Sequence, residues 1–521
     1  MSSNSASANG PTTSPRLRLE TDVIVVGGGG SGLAAAIEAT SIGRDVILIE
    51  KNAALGGSTA RSVGSVTATN TPHQLKKGIR DCPDDHFEDM GKFCARVGLQ
   101  DNTVLRRILI DNVPDTFRWL MSMGVVFHGP LTEPPHRKPR MHNVLPNSRA
   151  YIYHLSRAAR RNGVKVRLET KLTELLIENG KALGVVCDTP NGPVEIRARG
   201  GVILTTGDFG GNAQMRKSFL PAKVAPALPI NPTNTGDGHQ LVVKAGGQMM
   251  NSQHFVGGVR FPPPRTKWVQ RIPPWAIVAK FMSWSLDNMP SWLLRPFIMS
   301  FLTTVLQSSP NLYKQGALLI NKNGERFNDE MTDPIQGLAD QPDGVAYIIL
   351  DGKLAKKFSG PPYQISTAPG IAFAYLPDYR RTRKDIYKEA ATIESLAAKI
   401  GVDAKRLSET LGNYNSNRDG ANGASKRGER PSLDEGPYVA LGPVHHYITF
   451  SDSGVAVTEQ HEVIGAAGKP IEGLYAAGFI GMGGMLLEGL GHHLGWAFTS
   501  GRRAGRYAAC RVVTADLPPV Q

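Results

Sequence analysis

The chain has 521 residues, 41% apolar and 20% charged, with a formal net charge of +14. This is too long for one ordinary core and has the composition of a globular protein with two domains, or three at most. The excess of Lys and Arg forms no basic stripe with interleaved aromatics, and there is no zinc-finger spacing or RNP-type run, which argues against nucleic acid as a partner. The four cysteines, Cys82, Cys94, Cys187 and Cys510, make no CxxC pair, so neither a disulfide framework nor a metal site is expected.

Residues 1–17 are rich in Ser, Ala and Asn and hold no apolar run. They predict a disordered lead-in without a secretory signal, and hence a cytoplasmic protein. Thr21 to Val26 reads as a buried strand. It feeds Gly27-Gly28-Gly29-Gly30-Ser31-Gly32, a helical run from Leu33 to Ser41, and a second strand from Asp45 to Ile49. This is the size and order of a dinucleotide-binding half-fold. Gly27, Gly29 and Gly32 fit GxGxxG: the first permits a tight turn, the second lets backbone meet a pyrophosphate, the third permits close helix–strand packing. Gly30 and Ser31 complete the loop. Glu50 follows the second strand, where a carboxylate can accept ribose hydroxyls, with Lys51 beside it.

Further along, Val164–Leu168 predicts a strand, Leu172–Ile177 and Ala182–Asp188 a β-ribbon, and Gly201–Thr206 another apolar strand. The texture changes near Gly246. A strand at 317–320, amphipathic helices at 393–400 and 407–414, and a polar loop at 420–431 follow. Strand patterns resume near Tyr438, and a helix from Leu494 to about Val512 closes the chain. The expected class is α/β: a discontinuous Rossmann-like domain over 18–245 and 436–521, with an inserted α+β cap over 246–435 that carries an apolar insertion at 261–313.

Several motifs then occur in one order: Gly56-Gly57-Ser58-Thr59-Ala60-Arg61-Ser62, Thr205-Thr206-Gly207-Asp208-Phe209-Gly210-Gly211-Asn212, Thr235-Gly236-Asp237-Gly238, Asn323-Gly324-Glu325-Arg326-Phe327 and Gly473-Leu474-Tyr475-Ala476-Ala477-Gly478. Together they resemble the flavoproteins that include soluble fumarate reductases and 3-ketosteroid Δ1-dehydrogenases. The resemblance implies FAD, with Gly57, Ser58, Thr59, Gly64, Ser65, Leu172, Thr206, Gly207, Asp237, Gly478 and Phe479 among its contacts. Gly491-His492-His493-Leu494-Gly495-Trp496-Ala497 resembles the stretch before the family's last helix, which implies that backbone N–H groups around Leu494 and Gly495 face the flavin. Ser58 stands near where covalently flavinylated relatives carry His, so FAD is expected to be noncovalent.

The catalytic positions depart from the family. The proton carrier that follows its Arg-Phe-Asn-x-Glu stretch counts to Pro334, next to Asp333, and the C-terminal carboxylate-binding Arg is replaced by Met485-Leu486-Leu487-Glu488-Gly489. A C4 dicarboxylate needs cationic clamps, so this loop argues against one. His446 of the His445-His446 pair, Arg140 and His142 of an RxH segment, Glu488, His492 and His493 near the flavin by family placement, and the cap phenol Tyr375 are the remaining candidates. Gly491 matches a glycine whose N–H polarises a substrate carbonyl in ketosteroid enzymes. The leading expectation is dehydrogenation of a CH–CH bond next to the carbonyl of an apolar, cyclic or steroid-like ketone. Reduction of an activated alkene and electron relay at a membrane are the alternatives, with a quinone as one acceptor left open.

The insertion holds Trp268, Trp275, Trp284 and Trp292, with Arg265, Lys267, Arg271, Lys280 and Arg295 interleaved and Asp287 the only acid. Its longest uncharged, mostly apolar run without a strong break, Pro296–Leu306, is too short to span a bilayer. Trp among Lys and Arg suits either a membrane interface or a buried cap.

Overall fold

The computed structural model describes residues 17–512, apart from 265–272, 291–293, 295–304, 331–333, 336, 368–373 and 418–427. The expected lead-in thus lies outside the described residues except for Leu17, which begins a strand.

The nucleotide half is built on parallel strands in the order Lys165–Arg167, Val46–Ile49, Leu17–Val26, Gly192–Leu204 and Pro470–Ala476. Thr21–Val26 is buried along its whole length. This is why the apolar run Val23-Ile24-Val25-Val26 shows no alternation: helices cover such strands on both faces. The Lys171–Glu178/Lys181–Thr189 ribbon is antiparallel, as predicted, and extends the sheet. Helices Gly30–Ser41 and His492–Cys510 pack on each other at very short range. A Cβ on Gly501 would lie 2.3 Å from the Ser31 carbonyl oxygen, and one on Gly505 2.3 Å from that of Ala35. The chain's last helix therefore belongs with its first.

The cap has its own sheet, with Tyr438–Ser451 as its spine. Ala346–Leu350, Tyr387–Ala390 and Phe255–Arg260 pair with it antiparallel, and Leu228–Pro229 pairs parallel. A separate core containing Leu318, Ile348, Leu396, Leu407 and Leu441 fills it. This corrects the expected return to the nucleotide domain at 436: the strand that starts there is cap, and the return follows Ser451. A small third sheet, Ser65–Thr67, Met141–Leu145 and Val126–Leu131, joins the N-terminal half to the loop before the last helix.

Of the insertion, helix Ala276–Asn288 is described and rests on the third sheet. Ala279 and Ser285 face inward, whereas Trp275, Ile277, Phe281 and Trp284 are 52–77% exposed. Trp268, Trp292, Arg265, Lys267, Arg271, Arg295 and most of Pro296–Leu306 lie outside the described residues. Among the described residues, no helix is long and apolar enough to cross a membrane.

Candidate active site

One large cavity lies between the two sheets, and its floor is mostly backbone. The first strand ends at Gly27, whose φ of +111° and close approach to the Thr205 carbonyl leave no room for a side chain. The helix then starts at Gly30 with no side-chain cap, so its first N–H groups point into the cavity without helical partners. A Cβ on Gly29 would meet nothing within 4 Å, and this residue lines open space. The cradle fits a pyrophosphate: backbone donors, a helix dipole and no obstructing side chain. The Glu50 carboxylate accepts from the Gly28 N–H at 2.7 Å and the Asn52 N–H at 2.9 Å, which fixes it at the adjoining edge. Lys51 is paired with Asp237 at 2.6 Å. Ser58 Oγ accepts from Asn231 and Asn234, tying the Gly57–Thr59 turn to the cap.

All but two of the expected cofactor residues line this cavity: Gly27, Gly29, Gly30, Ser31, Glu50, Lys51, Gly57, Ser58, Thr59, Gly64, Ser65, Leu172, Thr206, Gly207, Asp237, Gly478, Phe479 and Leu494. The two exceptions have packing roles. A Cβ on Gly32 would sit 1.9 Å from the Gly27 carbonyl oxygen, so this glycine closes the helix on the strand. Gly495 abuts Val113 and Leu109 instead of the cavity. Gly491 lines the cavity as expected; its φ is +89°, and a Cβ there would lie 2.6 Å from the Thr67 nitrogen.

The roof is built from charged and aromatic side chains of three separate segments. Arg260, at the end of the cap strand Phe255–Arg260, reaches the cavity and donates to Thr449 Oγ1 at 2.8 Å, Gln307 Oε1 at 3.3 Å and the Val305 carbonyl at 3.2 Å. Its Nε is buried without a partner, and among the described residues no carboxylate pairs with it. Burial without a counter-charge pushes the guanidinium down to about 10. Opposite Arg260 in chain order come Glu488 and His493. The Asp452 carboxylate is fully buried behind them, 2.6 Å from His254 Nδ1 and 3.7 Å from His493 Nε2. Glu488 Oε1 is 4.0 Å from His254 Nε2. Burial raises the Glu488 carboxyl, and the Asp452 charge raises it further. Burial alone would raise Asp452 and lower His254, but their mutual hydrogen bond and charge reverse both shifts. Phe450 packs on His493 with ring centroids 4.0 Å apart, and Phe479 and Leu487 continue the apolar lining.

Four of the catalytic expectations are corrected by this geometry. Arg140 is fully buried away from the cavity. Its guanidinium grips Asp81 through Nε at 2.7 Å and Nη2 at 2.8 Å, and Asp89 through Nη1 at 2.6 Å, so no donor face is left for a substrate. His142 packs against Phe117 and contacts Thr71 at 3.0 Å, with its ring pushed down to about 3 by burial. His446 does not line the cavity: of its strand only Thr449 and Phe450 do, and His446 packs toward Gly257. His492 turns away into a buried cluster, while its neighbour His493 takes the cavity position. Glu488 stays where it was expected. Arg260, His254 and Asp452 were missed, because none lies in a recognisable motif. Of the stretch around Pro334, Asp333 lies outside the described residues, and Arg326 is buried on Glu330 at 2.6 Å.

The FAD binding domain family model matches residues 22–263 and 297–486. A probable fumarate reductase of Shewanella frigidimarina is 27% identical over 475 residues, which is 88% of this chain and 69% of the relative. A flavocytochrome c3 fumarate reductase, solved in an open conformation, superposes with a TM-score of 0.73 at 25% identity, over 95% of this chain and 79% of that one. A 3-ketosteroid Δ1-dehydrogenase from Sterolibacterium denitrificans gives 0.64 at 20% identity, over 94% and 99%, a likeness of fold.

Proposed function

The chain belongs to the FAD binding domain family and is an FAD-dependent oxidoreductase, and from that premise we propose that it reduces an activated alkene. The alkene is conjugated to a single carbonyl or carboxylate, and the rest of the substrate is apolar. When bound, FAD supplies hydride exchange with a substrate carbon. Arg260 carries the reading. Its guanidinium is half-buried, with Nε sealed and no carboxylate paired to it among the described residues, which suits an anion or carbonyl anchor that stabilises the oxyanion character growing as hydride adds. Lys51 is already neutralised by Asp237, and Arg61, the other arginine that lines the cavity among the described residues, is exposed, which favours a substrate with a single acidic or carbonyl group. Glu488 carries the proton to the α-carbon, and His254 with Asp452 resupplies it. The Gly491 turn and the free N–H groups of the last helix support charge on the cofactor side. The reductive direction is favoured because a probable fumarate reductase is among the relatives matched in sequence, whereas the steroid dehydrogenase is a likeness of fold.

Holoenzyme reduced with dithionite should be reoxidised by an α,β-unsaturated monocarboxylate or enone faster than by fumarate. Arg260→Met should remove that preference. Bleaching of the oxidised enzyme by a saturated ketone, with no response to any alkene, would instead establish the dehydrogenase direction.

We also infer that this chemistry takes place at an anionic membrane surface. On Ala276–Asn288 the exposed side chains Ile277, Phe281 and Trp284 fall at i, i+4 and i+7, one apolar stripe, with Trp275 at its end and exposed Lys280 beside it. His154 of the neighbouring helix Arg149–Arg161 contacts the Pro274 carbonyl at 3.0 Å, and that helix exposes Arg149, Arg157, Arg160 and Arg161. Apolar residues bordered by cations fit the boundary of an anionic bilayer. Flotation with vesicles containing phosphatidylserine should carry the protein upward and Phe281→Asp should release it; a wild-type protein left at the bottom removes the idea.

A further inference from the structure

His86, His136 and His492 come from three distant parts of the chain: the helix Pro83–Cys94, the loop before Met141, and the first residue of the last helix. Their ring centroids form a triangle with every side 5.4 Å. One nitrogen from each ring lies within 4.8 Å of the other two, and Nε2 of His86 is 3.1 Å from Nε2 of His492. His86 and His492 are buried, and Nε2 of His136 is sealed although one side of that residue reaches solvent.

Hydrogen bonding alone cannot satisfy this triangle. His492 Nδ1 donates to the Glu488 carbonyl at 2.6 Å, so its Nε2 presents a lone pair to the centre. His86 can donate one proton to that lone pair, which leaves its own Nδ1 without a partner. Nε2 of His136 has none either. Neutral imidazoles converging on one point are the ligand set of a borderline divalent cation, and at metal–nitrogen distances of about 2.0–2.1 Å the ligating nitrogens stand ~3.3 Å apart. Asp81 and Asp89 lie beyond the histidines, each paired with Arg140, so the three rings are the ligand set and the carboxylates are not.

We propose that His86, His136 and His492 form a three-histidine site for a zinc-class divalent cation, with a fourth position for water. Arg140 Nη1 contacts His136 Nδ1 at 3.1 Å. An arginine can only donate, so that ring carries its proton on Nε2 in the empty site. Binding therefore moves this proton to Nδ1 or releases it, and leaves Arg140 to its two aspartates. The bound ion would pin the start of the last helix to the N-terminal half, one residue from the cavity lining. It would act as a structural tie, and the proposal is independent of the substrate assignment.

The test uses tag-free holoenzyme, stripped with chelator, dialysed against Zn2+ and assayed for retained metal and flavin. About one zinc per chain, with a rise in melting temperature, is expected. His136→Gln should lose the zinc while keeping FAD, since His136 is the least buried of the three, and His86→Gln should behave alike. Glu488→Gln should retain it; loss there instead would assign the ion to the His254, Asp452 and Glu488 group and overturn the proposal. So would failure of the wild type to retain zinc, or zinc retention unchanged by both histidine variants.

Discussion

The floor and the roof of the cavity are made of different material. Along the floor the chain presents backbone: Gly27 to Gly30, the Gly57 turn and Gly207, positioned by strand ends, with Gly27, Gly28, Gly30 and Gly207 too close to their neighbours for a Cβ and Gly29 facing open space. Along the roof it presents Arg260, Glu488 and His493, with His254 and Asp452 behind them. Backbone geometry recognises what the cofactor shares across a family, while side chains recognise what differs between substrates. Two adjacent residues mark the divide. His493 enters the cavity, and His492, about 100° round the helix, enters the sealed triangle.

The sharpest break separates two glycines of the floor. Gly29→Ala adds a methyl group to open space in the cradle, so the protein should fold normally, by circular dichroism, yet purify without flavin. Gly32→Ala meets the Gly27 carbonyl at 1.9 Å and should instead fail to fold. Equal behaviour of the two would dissolve the distinction between a ligand-facing and a packing glycine. On the roof, Glu488→Gln should keep full flavin content and lower turnover by roughly 10²- to 10⁴-fold, the usual worth of a positioned proton carrier. Burial raises this acid and its protonated form is the donor, so wild-type turnover should fall as pH rises through its pKa, a limb absent from the variant. Arg260→Met should act on substrate alone, costing roughly 10- to 100-fold in kcat/KM, as for a lost charged hydrogen bond. Flavin lost from either roof variant would show that roof and floor are not separable.

The same division governs what could be read from the chain. A glycine with positive φ or an oversized neighbour is dictated locally, so the GxGxxG loop, the Gly57 turn and Gly491 were legible, as was Glu50 at a strand end. The roof is assembled by topology. Arg260 reaches Thr449 only because the strands Phe255–Arg260 and Tyr438–Ser451 pair in one register, and a change of one residue reverses every side chain. His446 was assigned to the cavity on its doublet, but strand direction decides the matter. Arg140 and His142 misled for a related reason: Met141–Leu145 is buried throughout, so no alternation distinguishes a residue aimed at a ligand from one locked in the scaffold. The His triangle leaves no spacing signature at all, because its members lie 50 and 356 residues apart along the chain.

Where floor meets roof, the loop 488–491 is held by one carboxylate, and this gives the smallest of the expected effects. Glu133 accepts from the Leu490 N–H at 2.8 Å through Oε1, but its Oε2 is buried with no partner. Burial raises this carboxyl from 4.5 to about 7. The folded protein therefore binds a proton more tightly than the unfolded chain, and stability is full below the unfolded value and declines as pH rises through the folded one. Between about pH 4.5 and 7 the loss should amount to about 1–3 kcal/mol. Glu133→Gln keeps an acceptor for Leu490 and cannot ionise, so its melting temperature at pH 8 should exceed the wild type's, and the two should converge toward pH 5. Flavin content and the response to Arg260→Met should be unchanged, because Glu133 supports the loop without entering the cavity. Parallel melting curves across that range would mean that Oε2 is satisfied by solvent, and that the seam between floor and roof is open rather than sealed.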